Sequence, residues 1–180
     1  VYGVNGMPIE GQMLDVNNDG LLNASDRYIT DKSTAPKYLM GFSTNFQYKK
    51  WNVSAAFHSN IDHYLFFHPY DNTISITEWQ TSQNLSTLYY DTLFSHNDPA
   101  QGYSDFYLQN ASFLKMDNIS IGYDFGKVLA NSKVGLNVNF SVQNVFIITN
   151  YQGLDPEANF GSENAYPVPR IFSMGLNRNF

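Results

Sequence analysis

The sequence predicts an all-β fold whose antiparallel strands form part of a transmembrane β-barrel. Several segments alternate between apolar and polar residues, which is the period of a β-strand. Aromatic residues make up 16% of the chain and charged residues only 14%, whereas an average soluble domain has about 25% charged residues. This shortage of charge indicates that lipid covers part of the surface. The mean hydropathy of -0.33 agrees, because a spanning strand shows only every second residue to lipid.

Other classes of protein fit the sequence less well. No apolar run approaches the ~18 residues that a spanning helix needs. The first residues, Val1–Asn5, lack the basic start and apolar core of a signal peptide, so we expect a mature terminus or the interior of a longer protein. There is no cysteine, which excludes disulfides and thiolate metal sites. The net charge of -6 argues against nucleic acid as a partner.

A calcium-loop pattern lies within residues 1–38, which glycine and proline otherwise mark as a loop. The segment Asp15–Asp26 alternates oxygen-bearing side chains with other residues and has Gly20 where a sharp turn is needed. Because Ca²⁺ prefers about six to eight oxygen ligands, the pattern predicts a structural Ca²⁺ site. The predicted ligands are Asp15, Asn17, Asp19, the carbonyl of Leu21, Asn23 and Asp26. The alternative is a solvated turn held together by its own Asp and Asn side chains.

A β-hairpin is predicted next, with one strand over residues 39–49 and the other starting at Trp51. Its apolar face carries Met40, Phe42, Thr44, Phe46, Tyr48, Trp51, Val53, Ala55 and Phe57. Tyr48 and Trp51 flank the basic turn Lys49–Lys50, so we predict that both lie at a membrane interface. A hairpin of a soluble β-sandwich would show the same alternation, although it would not explain the shortage of charge.

The alternation stops over residues 59–105, which we predict to be a long extracellular loop. Its aromatic side chains Trp79, Tyr89 and Tyr90 are candidates for substrate binding by stacking on sugar rings or packing a peptide. The alternative is that they only pack the loop onto its neighbours. The four histidines of the chain have neither the spacing nor the acidic partners of a metal site, and we interpret them as ordinary polar residues.

Three further strands are predicted after this loop. Residues 106–125 place Phe113, Ile119, Ile121, Tyr123 and Phe125 on an apolar face. Lys115 and Asp117 interrupt that face, so we expect the start of this strand to project beyond the membrane, where a charge costs little. The next strand starts at Val134 and has a polar face rich in Asn and Gln, which suits a wet lumen. After a second loop at about 150–169, the closing strand ends on Phe180, which we predict to lie at a membrane interface.

Short turns near Lys49 and Asn131 alternate with the long loops along the chain. Outer-membrane barrels have short periplasmic turns and long extracellular loops. Five strands are too few to close a barrel, since the usual minimum is about eight. We therefore expect this chain to be one piece of a larger barrel.

Four local segments resemble the C-terminal part of the SusC/RagA-family TonB-dependent transporters of Bacteroidetes. They occur in the order of that family and together run over most of the chain. The four segments are DVNNDGLLNASDR at 15–27, FYLQNASFLKMDNISIGYDF at 106–125, VNFSVQNVFIITNYQGLDPE at 138–157 and YPVPRIFSMGLNRNF at 166–180. One departure is Lys115, at a position where the family pattern leads us to expect arginine.

The resemblance implies an outer-membrane, multi-pass location and an importer of oligosaccharides or peptides. This chain would supply the C-terminal five strands of a barrel of about 22 strands. The resemblance also implies a SusD-like surface lipoprotein as partner, contact with lipid and lipopolysaccharide, and energy from TonB–ExbB–ExbD through a plug domain. The plug domain and the rest of the barrel lie outside this chain, so the piece alone would transport nothing.

Two other functions are alternatives to transport. A soluble calcium-dependent binding module of the β-sandwich type would explain the alternation and the calcium-loop pattern. An enzyme is not expected, because Asp155 and Glu157 are close in sequence but no nucleophile and base accompany them.

Overall fold

The computed structural model describes residues 1–4, 9, 12–66, 105–127, 134–153, 155–157 and 168–179. Seven strands form within them. These are β1 (Tyr38–Tyr48), β2 (Trp51–Ile61), β3 (Tyr64–Phe66), β4 (Leu108–Asn110), β5 (Phe113–Lys127), β6 (Gly135–Thr149) and β7 (Ile171–Asn179). Two short 3₁₀ turns, Ala24–Asp26 and Asp105–Tyr107, complete the regular structure. None of the helical segments among the described residues has the length and hydropathy to cross a membrane.

Five long strands form one antiparallel sheet in the order β1-β2-β5-β6-β7, and β3 pairs with β4 in a small second sheet. The all-β prediction with five antiparallel strands is therefore confirmed. The predicted strand limits differ in two places. Residues 59–61, expected to begin the loop, belong to β2 and pair with β1. Residues 106–112, expected to begin the third strand, form the end of a 3₁₀ turn, β4 and a short connection that precedes β5.

The register of the sheet gives it two chemically different faces. Directly paired residues point to the same side of a sheet, and Phe42 pairs with Phe57 while Val142 pairs with Phe172. We call this side the apolar face. On the other side, the polar face, Asn137 pairs with Asn177. The face assignments predicted for β1, β2, β6 and β7 are confirmed by these pairings.

The apolar face is open along most of its length. Phe42, Phe172 and Met174 expose 63%, 63% and 71% of their surface, respectively. Burial is concentrated instead near the small sheet, where Leu65, Tyr107, Ala111 and Phe113 are buried. Burying apolar side chains is the main stabilising term in folding, so a sheet with this much open apolar surface needs a further apolar environment.

A β-bulge in β5 corrects the predicted position of its charged residues. The pairing of β2 with β5 shifts between Ala56 and Phe57, and Asp117 is the extra residue. A bulge changes the phase of a strand by one residue. Phe113 and Lys115 therefore lie on the polar face, whereas Leu114 and Met116 lie on the apolar face, opposite to the prediction. Because Lys115 lies on the polar face, this part of β5 can span a membrane, and its start does not have to project beyond the membrane.

Candidate functional site

Uncharged amide and hydroxyl side chains line a depression on the polar face. The depression is formed by Asn52, Ser54, Ser120, Gly122, Asn137, Asn139 and Asn177. These residues come from β2, β5, β6 and β7, and the alternation of each strand brings them to one side. Amides and hydroxyls both donate and accept hydrogen bonds, so this wall can be wetted or can contact a polar partner without attracting ions.

Asn139 lies close to a glycine of the neighbouring strand in this depression. It pairs with Gly175 across the strands, and the space above Gly175 is filled by the amide of Asn139. The Oδ1 atom of Asn139 is buried and has no hydrogen-bond partner. A side chain at position 175 would force the Asn139 amide to shift, because an added Cβ would lie too close to Asn139 Oδ1.

Four charged or titratable side chains meet on the polar face near the small sheet, and we call them the charge cluster. Its members are His58 on β2, Lys115 and Asp117 on β5, and Glu157 after β6. His58 Nδ1 lies 2.7 Å from Asp117 Oδ2, and His58 Nε2 lies 2.7 Å from Glu157 Oε1. Lys115 Nζ donates to Glu157 Oε2. The cluster therefore ties the segment after β6 to the strands β2 and β5.

The bulge in β5 makes the charge cluster possible. In a regular strand, Asn118 and Asp117 would point to opposite faces, but the bulge lets Asp117 reach His58 while Asn118 stays aligned with Gln143 of β6. The Phe113 ring packs edge-on against His58, with 5.3 Å between the ring centroids. Lys115 is only 12% exposed, so its ammonium group depends on Glu157 for charge compensation.

Glu157 lies in a tight turn that presents its carboxylate to the cluster. Its backbone N–H donates to Asp155 Oδ1 at 2.9 Å, a short-range contact typical of Asx turns. Burial raises the pKa of Glu157, but hydrogen bonds from Lys115 and His58 outweigh burial, so the pKa lies below its ordinary value. The carboxylate is therefore ionised over the whole neutral range.

Two neighbouring contacts fix the same segment. Gln109 of β4 and Gln152 exchange hydrogen bonds, each at 3.2 Å, through their side chains and the backbone N–H of Gln152. The buried His63 places its Nε2 atom 3.2 Å from the carbonyl oxygen of Pro156. The segment after β6 is thus held by one charged and two uncharged attachments.

No local pattern in the sequence indicates the charge cluster, because its members are far apart along the chain; His58 and Glu157 are separated by 99 residues. The prediction that the four histidines are ordinary polar residues does not anticipate the two acidic partners of His58. One usable signal was present in β5. Its apolar residues change from even positions, Leu114 and Met116, to odd positions from Ile119, which indicates a bulge between them.

The predicted calcium-loop residues lie together in one compact turn. Asp15 accepts from the backbone N–H groups of Asp19 and Gly20, at 3.2 and 2.8 Å. Asp26 accepts from Val16 at 3.0 Å and from Asn23 at 2.8 Å, which joins the two ends of the loop. Gly20 has φ +78°, the left-handed conformation that favours glycine. The sharp turn expected at this residue is present.

The electrostatics of this turn favour an anionic Asp26. The hydrogen bond from the N–H of Asn23 is the largest influence on the Asp26 carboxyl and lowers its pKa; burial acts in the opposite direction, and the amide of Val16 lowers the pKa further. The remaining predicted ligands point into the same turn, with Asn17 Oδ1 accepting from Asp19 and Asn23 Oδ1 from Ser25. Among the described residues, no three His, Asp or Glu side chains are gathered closely enough to hold a metal by themselves. A cation here would need amide and carbonyl oxygens, including that of Leu21.

The two described residues of the predicted membrane interface are neighbours. Tyr48 pairs with Trp51 beside the turn at Lys49. Trp51 packs edge-on against Tyr123 with 4.6 Å between ring centroids, and Tyr123 packs against Phe125 at 4.7 Å. An aromatic group therefore marks this end of the apolar face. The third predicted interface residue, Phe180, and the candidate substrate residues Trp79, Tyr89 and Tyr90 lie outside the described residues.

An antiparallel sheet with one open apolar face and one amide-rich face defines the class of the protein: it has the pattern of a transmembrane β-barrel wall. Comparison with known proteins is more specific. The chain is 34% identical over 194 residues to the TonB-dependent receptor SusC of Bacteroides thetaiotaomicron, covering 100% of the chain and 18% of the receptor. A TonB-dependent receptor of Formosa agariphila is 26% identical over 188 residues, covering 92% of the chain and 18% of that receptor. No model of a known protein family matches the chain.

Solved structures show the same fold. The RagAB peptide importer in its open-open state matches 89% of the chain and 19% of the importer chain, with a TM-score of 0.68 and 22% identity. Its closed-closed state matches 93% of the chain and 20% of the importer chain, with a TM-score of 0.66. The chain is therefore similar in sequence to a segment of the SusC-like TonB-dependent receptors, and it shares its fold with part of the RagAB importer. It spans 18% of the length of the curated relatives that it matches.

Proposed function

We propose that this chain is the C-terminal part of the barrel of an outer-membrane importer of oligosaccharides or peptides. The observation that carries the proposal is the two-faced sheet. Its apolar face exposes aromatic and aliphatic side chains such as Phe42 and Met174, and its polar face carries Asn and Ser. Lipid and lipopolysaccharide would cover the first face, and the second would line the interior of a barrel of about 22 strands.

In this proposal, the energy for import reaches the barrel through parts of the protein outside this chain, and separate partner proteins take part in import. The relatives are TonB-dependent receptors by name, which supports TonB–ExbB–ExbD coupling through a plug domain outside this chain. The structural relative RagAB is a peptide importer, and SusC/RagA-like proteins work with a SusD-like surface lipoprotein by the resemblance above. Trp79, Tyr89 and Tyr90 are our candidates for contact with the cargo.

The experiment is to follow the full-length protein in its host cell. We expect it to fractionate with the outer membrane and to change its gel mobility on boiling. Deletion of its gene should abolish uptake of either a labelled oligosaccharide or a labelled peptide, and a protonophore should have the same effect on the wild type. A protein found in the soluble fraction, with unchanged uptake in the deletion strain, would contradict the proposal.

Tyr48 and Trp51 are proposed to anchor the barrel at the periplasmic membrane interface. They lie beside the short Lys49–Lys50 turn, and short turns face the periplasm in outer-membrane barrels. Their position at the end of the apolar face, next to the rings of Tyr123 and Phe125, supports this role. We assign the same role to Phe180.

The soluble β-sandwich alternative has less support. A sandwich buries the apolar face of each sheet against a second sheet. In the described part of the chain, the small β3–β4 sheet leaves Phe42, Phe172 and Met174 largely exposed. The geometry therefore favours the barrel.

The Asp15–Asp26 turn is proposed to bind Ca²⁺ as a structural brace of an extracellular loop. Asp15 and Asp26 stand at the two ends of the loop, and a cation would compensate carboxylates that otherwise repel each other. The predicted ligands are those of the sequence pattern, with the carbonyl of Leu21 and the amide of Asn23 completing the set.

Trypsin cleavage of the full-length protein after Arg27 tests the calcium proposal. EDTA should accelerate this cleavage severalfold in the wild type, and added Ca²⁺ should reverse the effect. The variant Asp15→Asn should be cleaved quickly in both conditions. The control Asp31→Asn, which removes the same charge outside the loop, should behave as the wild type. A cleavage rate that ignores EDTA and Ca²⁺ in the wild type would contradict calcium binding.

A further inference from the structure

His58 makes two contacts that together specify its protonation state. Nδ1 faces Asp117 Oδ2 and Nε2 faces Glu157 Oε1, both at 2.7 Å. A carboxylate only accepts hydrogen bonds, and a neutral imidazole has one N–H and one bare nitrogen. With both carboxylates ionised, both contacts are hydrogen bonds only when His58 is an imidazolium. A proton on this ring is therefore part of the geometry that holds Glu157 in place.

The charges around His58 balance only in this state. β5 presents Lys115 and Asp117, and the segment after β6 presents Glu157. On the side of His58 away from β5, strand β1 places Gly41 opposite His58. The residues of β1 on the polar face include no titratable group. The nearby Asp62 pairs with Lys37 at 3.7 Å. Two cations thus face two anions, and loss of the His58 proton would leave the cluster with an excess negative charge.

We propose that His58 is a proton-operated latch that fastens the segment after β6, residues 150–153 and 155–157, to the polar face of the sheet. When His58 gives its proton to solvent, one ring nitrogen presents a lone pair to a carboxylate oxygen, and that contact changes from attraction to repulsion. The Lys115 contact and the Gln109–Gln152 pair remain, so the segment loosens without leaving the sheet. This inference goes beyond the proposed import function and does not depend on it.

The chain contains a matched control for this latch. His63 contacts the same segment, through Nε2 and the carbonyl oxygen of Pro156 at 3.2 Å. A carbonyl oxygen accepts from an N–H that neutral histidine already has. The His63 contact therefore survives loss of a proton, whereas the double contact of His58 does not.

Hydrogen exchange of the full-length protein, in detergent or nanodiscs, tests the latch. The quantity to compare is the protection factor of residues 150–153 and 155–157, because it removes the intrinsic pH dependence of exchange. In the wild type we expect it to fall about tenfold or more as pH rises from acidic to alkaline, the factor expected for losing a hydrogen bond between charged groups. His58→Gln should show low protection with no pH step. His63→Gln should keep the pH step, even if its overall protection is lower.

Two results would overturn the latch. One is a protection factor that stays constant with pH in the wild type, and the other is a pH step that persists in His58→Gln. The measurement reads the mobility of one segment and not uptake, so its outcome and that of the import experiment are independent.

Discussion

At the scale of single residues, three positions show how local geometry and contacts shape the structure. Gly175 is one, since its missing side chain makes room for the Asn139 amide. Lys49 is another, with φ +54° in the tight turn between β1 and β2, a conformation that costs most non-glycine residues about 1 kcal/mol. Asp105 is a third, because it accepts from Tyr2 at 3.0 Å and from Tyr28 at 3.1 Å. Burial and the Asp105 hydrogen bond raise the pKa of Tyr2 to about 12, so this contact is intact at any physiological pH.

Replacement of Gly175 by alanine should destabilise the barrel. The new Cβ would collide with the Asn139 amide, whose Oδ1 is already buried without a partner, and overpacking of this kind costs about 1–3 kcal/mol. The midpoint of urea unfolding of the full-length protein in lipid vesicles measures the effect. Ser173→Ala, on the same face of β7, should leave the midpoint nearly unchanged. Equal midpoints for the two variants would show that the Asn139 amide moves aside freely.

At the scale of elements, the β5 bulge decides which face receives the charges of the strand. The bulge inserts Asp117 between two parts of β5. Even-numbered residues lie on the apolar face before the bulge, and odd-numbered residues lie there after it. The paired residues of β2 and β6 show no such exchange of faces at this level. Bulges commonly re-aim side chains in this way near functional sites. In β5 the result is that Lys115 and Asp117 reach the charge cluster.

Deletion of Asp117 should therefore be more harmful than its substitution. A β5 without the extra residue would turn Lys115 towards the apolar face, where a lysine costs up to about 4 kcal/mol at the bilayer midplane and less near its edge. Asp117→Ala keeps the phase and loses only the contact with His58. The folded fraction, read from gel mobility before and after boiling, should fall strongly for the deletion and slightly for the substitution. Similar folded fractions would show that the bulge is not required for the phase of the strand.

The same bulge shows what could be predicted from the sequence. Strict alternation in β1, β2, β6 and β7 predicted their faces correctly, because a period of two is a local property. The faces at the start of β5 were predicted wrongly. One inserted residue exchanges the faces of all residues before it, while apolar residues still occur regularly on both sides of the insertion. The three-residue strands β3 and β4 were missed, since three residues are too few to show a period. The charge cluster depends on pairing between distant strands, which no local pattern encodes.

At the scale of the whole molecule, the proposed environment of the two faces makes one decisive prediction. Met174 and Ser173 are adjacent on β7 and are both exposed, but Met174 pairs with Phe140 on the apolar face and Ser173 with Ser141 on the polar face. Met174→Arg should lower the free energy of unfolding from lipid vesicles by about 2–4 kcal/mol if it lies near the bilayer midplane. Ser173→Arg should have a much smaller effect. Equal losses for the two variants would show that lipid does not cover the apolar face.

The strand order has a consequence for how this wall is assembled. β1 and β2 are joined by two residues, whereas β2 and β5 pair across the long stretch between Ile61 and Phe113. Closing a longer loop costs more entropy, roughly 0.6 kcal/mol for each doubling of its length. We expect the β1–β2 hairpin to form before β5 pairs with β2. Until β5 pairs with it, β2 has an unpaired backbone edge that other chains can bind. A chaperone would therefore protect the nascent barrel best at the edge of β2 that later pairs with β5.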